Sequence, residues 1–514
     1  MKLNLRNPFC LLALVAVWRI ALFIFTAQPI PVNDAAFFDG AMGNWFLHGH
    51  YFNPGLSVVF PISGHQLYSA YPPLYQVALW FWMGLFGTSV LSMIALHACM
   101  FCIAGFLVVY IVETVFPETV NYALVPLLLF AVTFDDRPEG LAHIFGLLAL
   151  LLVTRSWSSA RNWLVVFGIG SLLFCALYTS VIVGALYFGA GFIAVALAWW
   201  RRRNLFFFVP FIFATFLFVM ITVAIARFEP LWWAGFRENA RQTPVMTTGF
   251  RIPNSMELIK LVRTAPVFLL MLMMLPILFV KRKLVFDFGQ PWFVLVGGAF
   301  IMGWVLLLAD MTLLAANYVG YVLFLQVLLA AGILAATQPF SDAFRRHVRC
   351  VLWGCIILVS IRAVGMSTWG AACAWKNSYP KTHAVLLSEL APFAKTNLPA
   401  LVSSSYFYTA LEAGVQNPIH SDWYFDRANW TNNAQINGLA ALRPAKLVLN
   451  QFDYYRAFKP LLEQLRQQPG LVDIRVRDLA EVRTPDSIPS VDHVVQNISW
   501  APVIVDLDWK QALK

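Results

Sequence analysis

Residues 198–208 read Ala198-Trp199-Trp200-Arg201-Arg202-Arg203-Asn204-Leu205-Phe206-Phe207-Phe208, three consecutive arginines set between the apolar runs 181–199 and 205–226. The hydrocarbon core of a bilayer is roughly 30 Å thick and takes about 20 apolar residues of helix. Tryptophan is favoured at the membrane–water interface, and short connections rich in Lys and Arg stay in the cytoplasm. The segment therefore reads as a tight cytoplasmic hairpin between two transmembrane helices.

Outward from this hairpin the same pattern repeats. Further apolar runs lie near 8–27, 89–112, 120–134, 140–154, 162–180, 265–280, 291–309, 314–336 and 350–366, which predicts a polytopic α-helical membrane protein of about eleven transmembrane helices. With the N-terminus inside, the cytoplasmic connections carry Arg155 and Arg161, Lys281-Arg282-Lys283, and Arg345, Arg346 and Arg349. Each basic group falls on the side the rule requires, and residues 367–514 fall outside. The first run follows Lys2 and Arg6 as a signal peptide would, but Trp18-Arg19 interrupts it and Gln28-Pro29 follows, which favours an uncleaved span.

Composition agrees. The 514 residues are 60% hydrophobic and only 12% charged, against about 25% charged in soluble chains. The net charge of +10 is not a nucleic-acid footprint: residues 1–366 hold 22 Lys/Arg against 13 Asp/Glu, and 367–514 hold 14 against 13. The excess belongs to the membrane part, where sidedness accounts for it. The seven cysteines are scattered, and the Cys99-x-x-Cys102 pair lies inside an apolar helix, as small packing residues do.

Acidic residues show the opposite bias. Asp34, Asp39, Asp135, Asp136, Glu139, Glu229, Glu238, Glu257 and Asp310 fall on the outer side; Glu113, Glu118, Asp287 and Asp342 fall inside. Carboxylates abutting membrane helices are expensive and functional by default, so the chemistry is expected on the outer face. The first outer loop, 28–88, contains Asn33-Asp34-Ala35-Ala36-Phe37-Phe38-Asp39-Gly40-Ala41, then Leu47-His48-Gly49-His50-Tyr51-Phe52-Asn53-Pro54, then Tyr71-Pro72-Pro73-Leu74-Tyr75. Asp34, Phe38, Ala41 and Trp45 share one face of a helix expected to lie along the membrane. A second such helix is expected after Pro72-Pro73. His48, His50 and His65 have no ligand-like spacing.

The order D-x-x-x-F-x-x-A (Asp34, Phe38, Ala41), then L-x-G-x-Y-F-x-P, then Y-P-P-L-Y ending at Leu85-Phe86-Gly87 resembles the first outer loop of the C-type glycosyltransferases. These are multi-span enzymes that use polyprenyl-phosphate sugars, among them protein mannosyltransferases and the aminoarabinose transferase of lipid A. Arg137-Pro138-Glu139-Gly140-Leu141-Ala142 is similar to the family's R-P-D-x-L-A entry to its fourth span. The resemblance covers residues 1–200 by landmark and the remainder by layout.

The resemblance implies that Asp34 takes the catalytic carboxylate's place and that Glu139 matches the acidic position of the second outer loop, 135–140. It implies direct displacement with inversion at the sugar. The acceptor hydroxyl must lose a proton as it attacks the anomeric carbon, and a carboxylate within hydrogen-bond reach suits that task. Asp39 is a rival base or substrate contact, with Tyr71, Asp135, Asp136 and Arg137 as further substrate contacts. The acidic clusters could hold a divalent cation in a phosphate site, which some members of the family use, but no spacing here demands a metal.

This chain departs from the family at three places. Ala70-Tyr71 replaces an acidic residue and a lysine before P-P-L, Tyr178-Thr179-Ser180 lacks a lysine, and Asn317-Tyr318 lacks a basic residue. The long outer loop 227–264 carries Arg227, Arg237, Arg241, Arg251, Lys260 and Arg263. Arginine forks match phosphate oxygens, so part of this set, Arg251 first, is expected to grip the donor phosphate; the alternative is a surface helix whose arginines pair with its own glutamates.

From 367 onward charge is balanced and apolar runs are short. Strands are expected at 400–404, 446–450 and 472–476, with a helix through Leu411 and another near 455–468, which describes a C-terminal soluble α/β domain. The expected function is a glycosyltransferase of the bacterial inner membrane, moving a sugar from a polyprenyl-phosphate donor to a cell-envelope lipid or glycan. The alternative is a membrane transporter or flippase, which usually shows internal repeats and midplane charges; neither is seen here.

Overall fold

The computed structural model describes residues 33–57, 60–115, 138–156, 162–202, 205–242, 340–354, 375–421, 432–480 and 501–510, with scattered positions in 10–21 and 328–372. The runs expected near 8–27, 120–134, 265–280, 291–309, 314–336 and 350–366 lie outside them, wholly or in all but a few positions.

The first continuously described segment holds α1 (Asn33–His48), a 3-10 turn at Pro54–Leu56, the short α2 (Pro61–His65) and α3 (Leu74–Phe86). The apolar helices α4 (Val90–Val115), α5 (Glu139–Ser156), α6 (Trp163–Thr179), α7 (Val181–Arg202) and α8 (Val209–Phe228) follow, and α9 (Pro230–Gln242) continues from α8. Val90–Val115 and Leu205–Phe228 are each long and apolar enough to cross a membrane; Leu74–Phe86, Glu139–Val153, Trp163–Thr179 and Val181–Ile193 are apolar but shorter. On α8, Ile212, Phe216, Val219, Met220 and Val223 are exposed. Such a row of bare apolar side chains suits lipid rather than water.

At about 1.5 Å per residue, the 13 residues of α3 are too short to span the bilayer. Tyr75, Gln76, Leu79 and Met83 are buried, and the other side bares Val77, Trp80, Phe81 and Leu85. A helix does follow Pro72-Pro73, as expected, with one apolar side bare. In contrast, α1 does not lie on the surface with one face down. Every residue from Ala36 to Asn44 is buried, and exposure begins at Trp45. Two glycines allow this enclosure: a Cβ on Gly40 would sit 2.5 Å from Asn53 Oδ1, and one on Gly43 would sit 2.8 Å from Leu411.

The C-terminal part begins with α10 (Tyr379–Leu390) and contains β1 (Ala400–Val402), α11 (Phe407–Glu412), β2 (Pro418–His420), α12 (Asn432–Leu442), β3 (Lys446–Leu449), β4 (Leu471–Asp478) and β5 (Val503–Trp509). The sheet order is β2-β1-β3-β5-β4. β1 runs parallel to β2 and β3, with Val402 opposite His420 and Val448; β5 is antiparallel to β3 and β4. Leu401, Leu447, Leu449 and Val505 form one buried side of the sheet and share a core with Phe458. Tyr406, Phe407, Tyr408 and Leu411 belong instead to the core that holds α1, α4 and α5.

Candidate active site

The segment from 33 to 86 is built around α1. Asn53, fully buried, donates from Nδ2 to the carbonyls of Ala36 at 2.8 Å and Phe37 at 3.2 Å, while its Oδ1 accepts from Gly55 N at 3.1 Å. Gln76 Nε2 donates to the Phe38 carbonyl at 2.6 Å. These side-chain amides fix the helix in rotation and along its axis. They explain the physical use of Asn53-Pro54 and of the helix after Pro72-Pro73.

On one side of this frame stands Tyr71. Its ring meets Phe38 edge-on with centroids 4.7 Å apart. Its hydroxyl donates to Glu139 Oε1 at 3.2 Å and lies 3.4 Å from Ser180 Oγ. Glu139 is the first residue of α5, where the helix dipole favours a carboxylate, and it is only 4% exposed. Ser180 caps the end of α6 at the bend into α7. One turn along α5, His143 Nδ1 and the Tyr187 hydroxyl pair at 2.8 Å, tying α5 to α7. Three connecting segments thus converge at Tyr71, Glu139 and Ser180.

Asp34 belongs to the first turn of α1, one turn before Phe38; its side chain lies outside the described residues, as do Asp135, Asp136, Arg137 and Arg251. Of the expected site residues, Tyr71 and Glu139 come together. Asp39 does not join them as an open substrate contact. It is fully buried, accepting from the Tyr75 hydroxyl at 2.9 Å and the Tyr408 hydroxyl at 2.6 Å, with His97 Nε2 at 3.5 Å. Burying a carboxylate is costly unless donors replace its water, and here phenols do so. The enclosed Asp39 carboxylate is thus supplied with donors by α3 and by the C-terminal domain.

Tyr75, His97, Ser180 and Tyr408 are residues the sequence did not assign. Tyr75 ends the Y-P-P-L-Y landmark, which was a signal of sorts. Tyr408 comes 369 positions after Asp39, a separation that no local pattern reveals.

Helix α9 reaches back to α2 and to the segment between α2 and α3. Glu238 Oε2 accepts from Ile62 N at 3.1 Å, and Asn239 Nδ2 donates to the Ala70 carbonyl at 2.6 Å, next to Tyr71. Burial pushes the Tyr51 and Tyr68 phenols well above their ordinary range; the neighbouring Tyr51, Asp39 and Tyr71 add to the effect on Tyr68. Both phenols remain protonated at neutral pH. Among the described residues no group of three or more His, Cys, Asp or Glu side chains could hold a metal ion; the cation expectation rests on Asp135 and Asp136, outside them.

No family model matches the chain, and no curated protein matches it. Among solved structures, the crystal structure of ArnT from Cupriavidus metallidurans bound to undecaprenyl phosphate is similar over 96% of this chain and 97% of that one. The TM-score is 0.50 and the sequence identity 12%. At that identity the likeness shows the fold, and it is the C-type glycosyltransferase fold that the sequence landmarks resemble.

Proposed function

We propose that the protein is an integral membrane glycosyltransferase that moves a sugar from a polyprenyl-phosphate donor to a cell-envelope lipid or glycan acceptor. Transfer takes place at the outer face of a bacterial inner membrane, with the N-terminus cytoplasmic and the C-terminal domain periplasmic. The acceptor oxygen forms a bond to the anomeric carbon as the bond from that carbon to the phosphate oxygen breaks. The acceptor proton passes to a carboxylate, and polyprenyl phosphate leaves with the electron pair. Attack opposite the leaving group inverts the sugar.

Asp34 is the general base in this reading, and Glu139, oriented by Tyr71, stabilises positive charge that develops on the sugar. Asp135, Asp136 and Arg137 adjoin Glu139 in sequence and contact the donor. Arg251 binds its phosphate. The observation that carries the reading is the meeting of Tyr71 with Glu139 and Ser180, against Phe38, which lies one helical turn from Asp34 along α1, in a fold shared with a protein that binds undecaprenyl phosphate. That the C-terminal domain packs on the first outer loop supports a common side for both.

The test is turnover of radiolabelled polyprenyl-phosphate sugars by the purified protein in proteoliposomes, across hexose and pentose donors. Movement of label from carrier to an envelope lipid extract supports the proposal. Donors left intact across the panel, with lipid-linked substrate crossing the bilayer instead, would favour a flippase.

A further inference from the structure

We infer that the C-terminal domain is a working part of the transfer site, through Tyr408 and Asp39 acting together as positioning residues. The inference rests on the function proposed above and adds to it residues that touch neither donor nor acceptor. Asp39, Tyr75 and His97 come from α1, α3 and α4, and Tyr408 alone comes from the C-terminal domain. The exposure of all four side chains is 1% or less. The shortest bond in the group, 2.6 Å, is the one that crosses between the domains.

Neighbouring contacts make this a seat rather than a single touch. Leu411, one turn beyond Tyr408, packs on Gly43, one turn beyond Asp39. Glu412 Oε2 accepts from Val90 N at the start of α4, 3.2 Å away, and His48 Nε2 lies 3.4 Å from the Val415 carbonyl. If α11 withdrew, Asp39 would lose a hydrogen bond while still enclosed by Tyr75 and His97. A carboxylate left short of donors in a buried place is strongly unfavourable, so docking and the correct seating of α1 are coupled.

The consequence for chemistry follows from helix geometry. Successive residues of a helix differ by about 100° in rotation and about 1.5 Å in rise. Fixing Asp39 against Tyr408 and Tyr75 therefore fixes Phe38, its neighbour, against Tyr71, and through Tyr71 the alignment with Glu139. It also fixes Asp34, five residues earlier on the same helix. A displacement of about 1 Å in such a frame can cost about a hundredfold in rate.

The experiment compares wild type, Tyr408→Phe and Asp39→Asn in lipid nanodiscs by two readouts. Without substrate, hydrogen exchange of amides 33–48 is followed against those of α6 as internal control. With donor and acceptor, kcat and donor KM are measured separately over a range of pH. Tyr408→Phe is expected to speed exchange across 33–48 and leave α6 unchanged. It should lower kcat roughly ten- to a hundredfold with little change in KM or in the shape of the pH profile.

Wild-type exchange in 33–48 together with wild-type kcat for Tyr408→Phe would overturn the inference. So would a Tyr408→Phe pH profile displaced along the axis, because that is the mark of Asp39 itself taking the proton. Should wild type turn over no donor at all, the enzyme reading fails on its own. The exchange comparison still decides whether Tyr408 seats α1.

Discussion

The hydroxyl of Tyr71 meets the carboxylate of Glu139 at 3.2 Å, although 68 positions separate them in the chain. One belongs to the segment between α2 and α3 and the other to the opening turn of α5, so the bond is a direct measure of how those segments register. It also keeps one Glu139 oxygen engaged with a donor that can strengthen as charge develops nearby.

Removal of that donor is therefore the first expectation. A hydrogen bond to a charged group contributes about 1.5–3 kcal/mol, which is about 10- to 100-fold in rate if it is expressed in the transition state. Tyr71→Phe should lower kcat/KM for the best donor by that factor, with unfolding temperature little changed. Initial rates in proteoliposomes give the answer; wild-type rates would place the hydroxyl outside the reaction.

Gly40→Ala should be severe for a residue so small. The new methyl would lie 2.5–2.6 Å from the head atoms of Asn53, which are pinned to Ala36, Phe37 and Gly55. Overpacking together with lost buried bonds should cost about 2–4 kcal/mol. A thermal unfolding series would show it. The Gly40→Ala, Asn53→Ala double variant should be no worse than Gly40→Ala alone, since both changes remove the same bonds.

The C-terminal domain carries its own pH dependence. The Arg477 hydrogen bond, with help from Lys446 and against the effect of burial, holds the Glu389 carboxyl down from 4.5 to about 2. A carboxyl depressed on folding adds stability above its unfolded value, and that stability is lost as pH falls from 4.5 toward 2. Wild type should therefore unfold at a higher temperature than Glu389→Gln at neutral pH, and the gap should close across that acid window. A gap unaffected by acid would show that the Glu389 charge is not the source of the difference.

Glu412 offers a separable contact. Its carboxylate, held low chiefly by the His383 hydrogen bond and further by Val90 N, satisfies one of the N–H groups that a helix start leaves unpaired. Glu412→Ala should destabilise the protein by about 1 kcal/mol, as loss of a helix cap does. Glu412→Gln, which keeps an acceptor, should recover most of it in the same unfolding measurement. Equal losses would mean that charge rather than acceptance matters.

Hydropathy made the apolar helices legible because bilayer thickness sets their length: runs expected at 89–112, 162–180 and 181–199 became Val90–Val115, Trp163–Thr179 and Val181–Arg202. β1, β3 and β4 were likewise visible as short apolar runs between polar ones. β2 was not, since Pro418-Ile419-His420 has almost no strand character by itself and is held by its register with β1. β5 carries an alternation at Asp506-Leu507-Asp508-Trp509 that a search for continuous apolar runs passes over.

The site divides in the same way. Local order and sidedness brought out Glu139 and Tyr71, because loop landmarks carry them. The burial of α1 was hidden, since the face shared by Phe38, Ala41 and Trp45 reads as amphipathic until Asn53 and Leu411 are seen packed against Gly40 and Gly43. Asp39 looked like a second base for the same reason. Its Tyr408 partner arrives only through tertiary structure.

The account turns on carboxylates of two outer segments assisting sugar transfer, and its most direct measurement is single-turnover transfer from a radiolabelled polyprenyl-phosphate sugar by wild type, Asp34→Asn and Glu139→Gln, each checked for insertion and folding. Loss of a general base or a charge-stabilising carboxylate should slow transfer by about 10²- to 10⁴-fold, with donor binding retained. Transfer at the wild-type rate by both folded variants would contradict it.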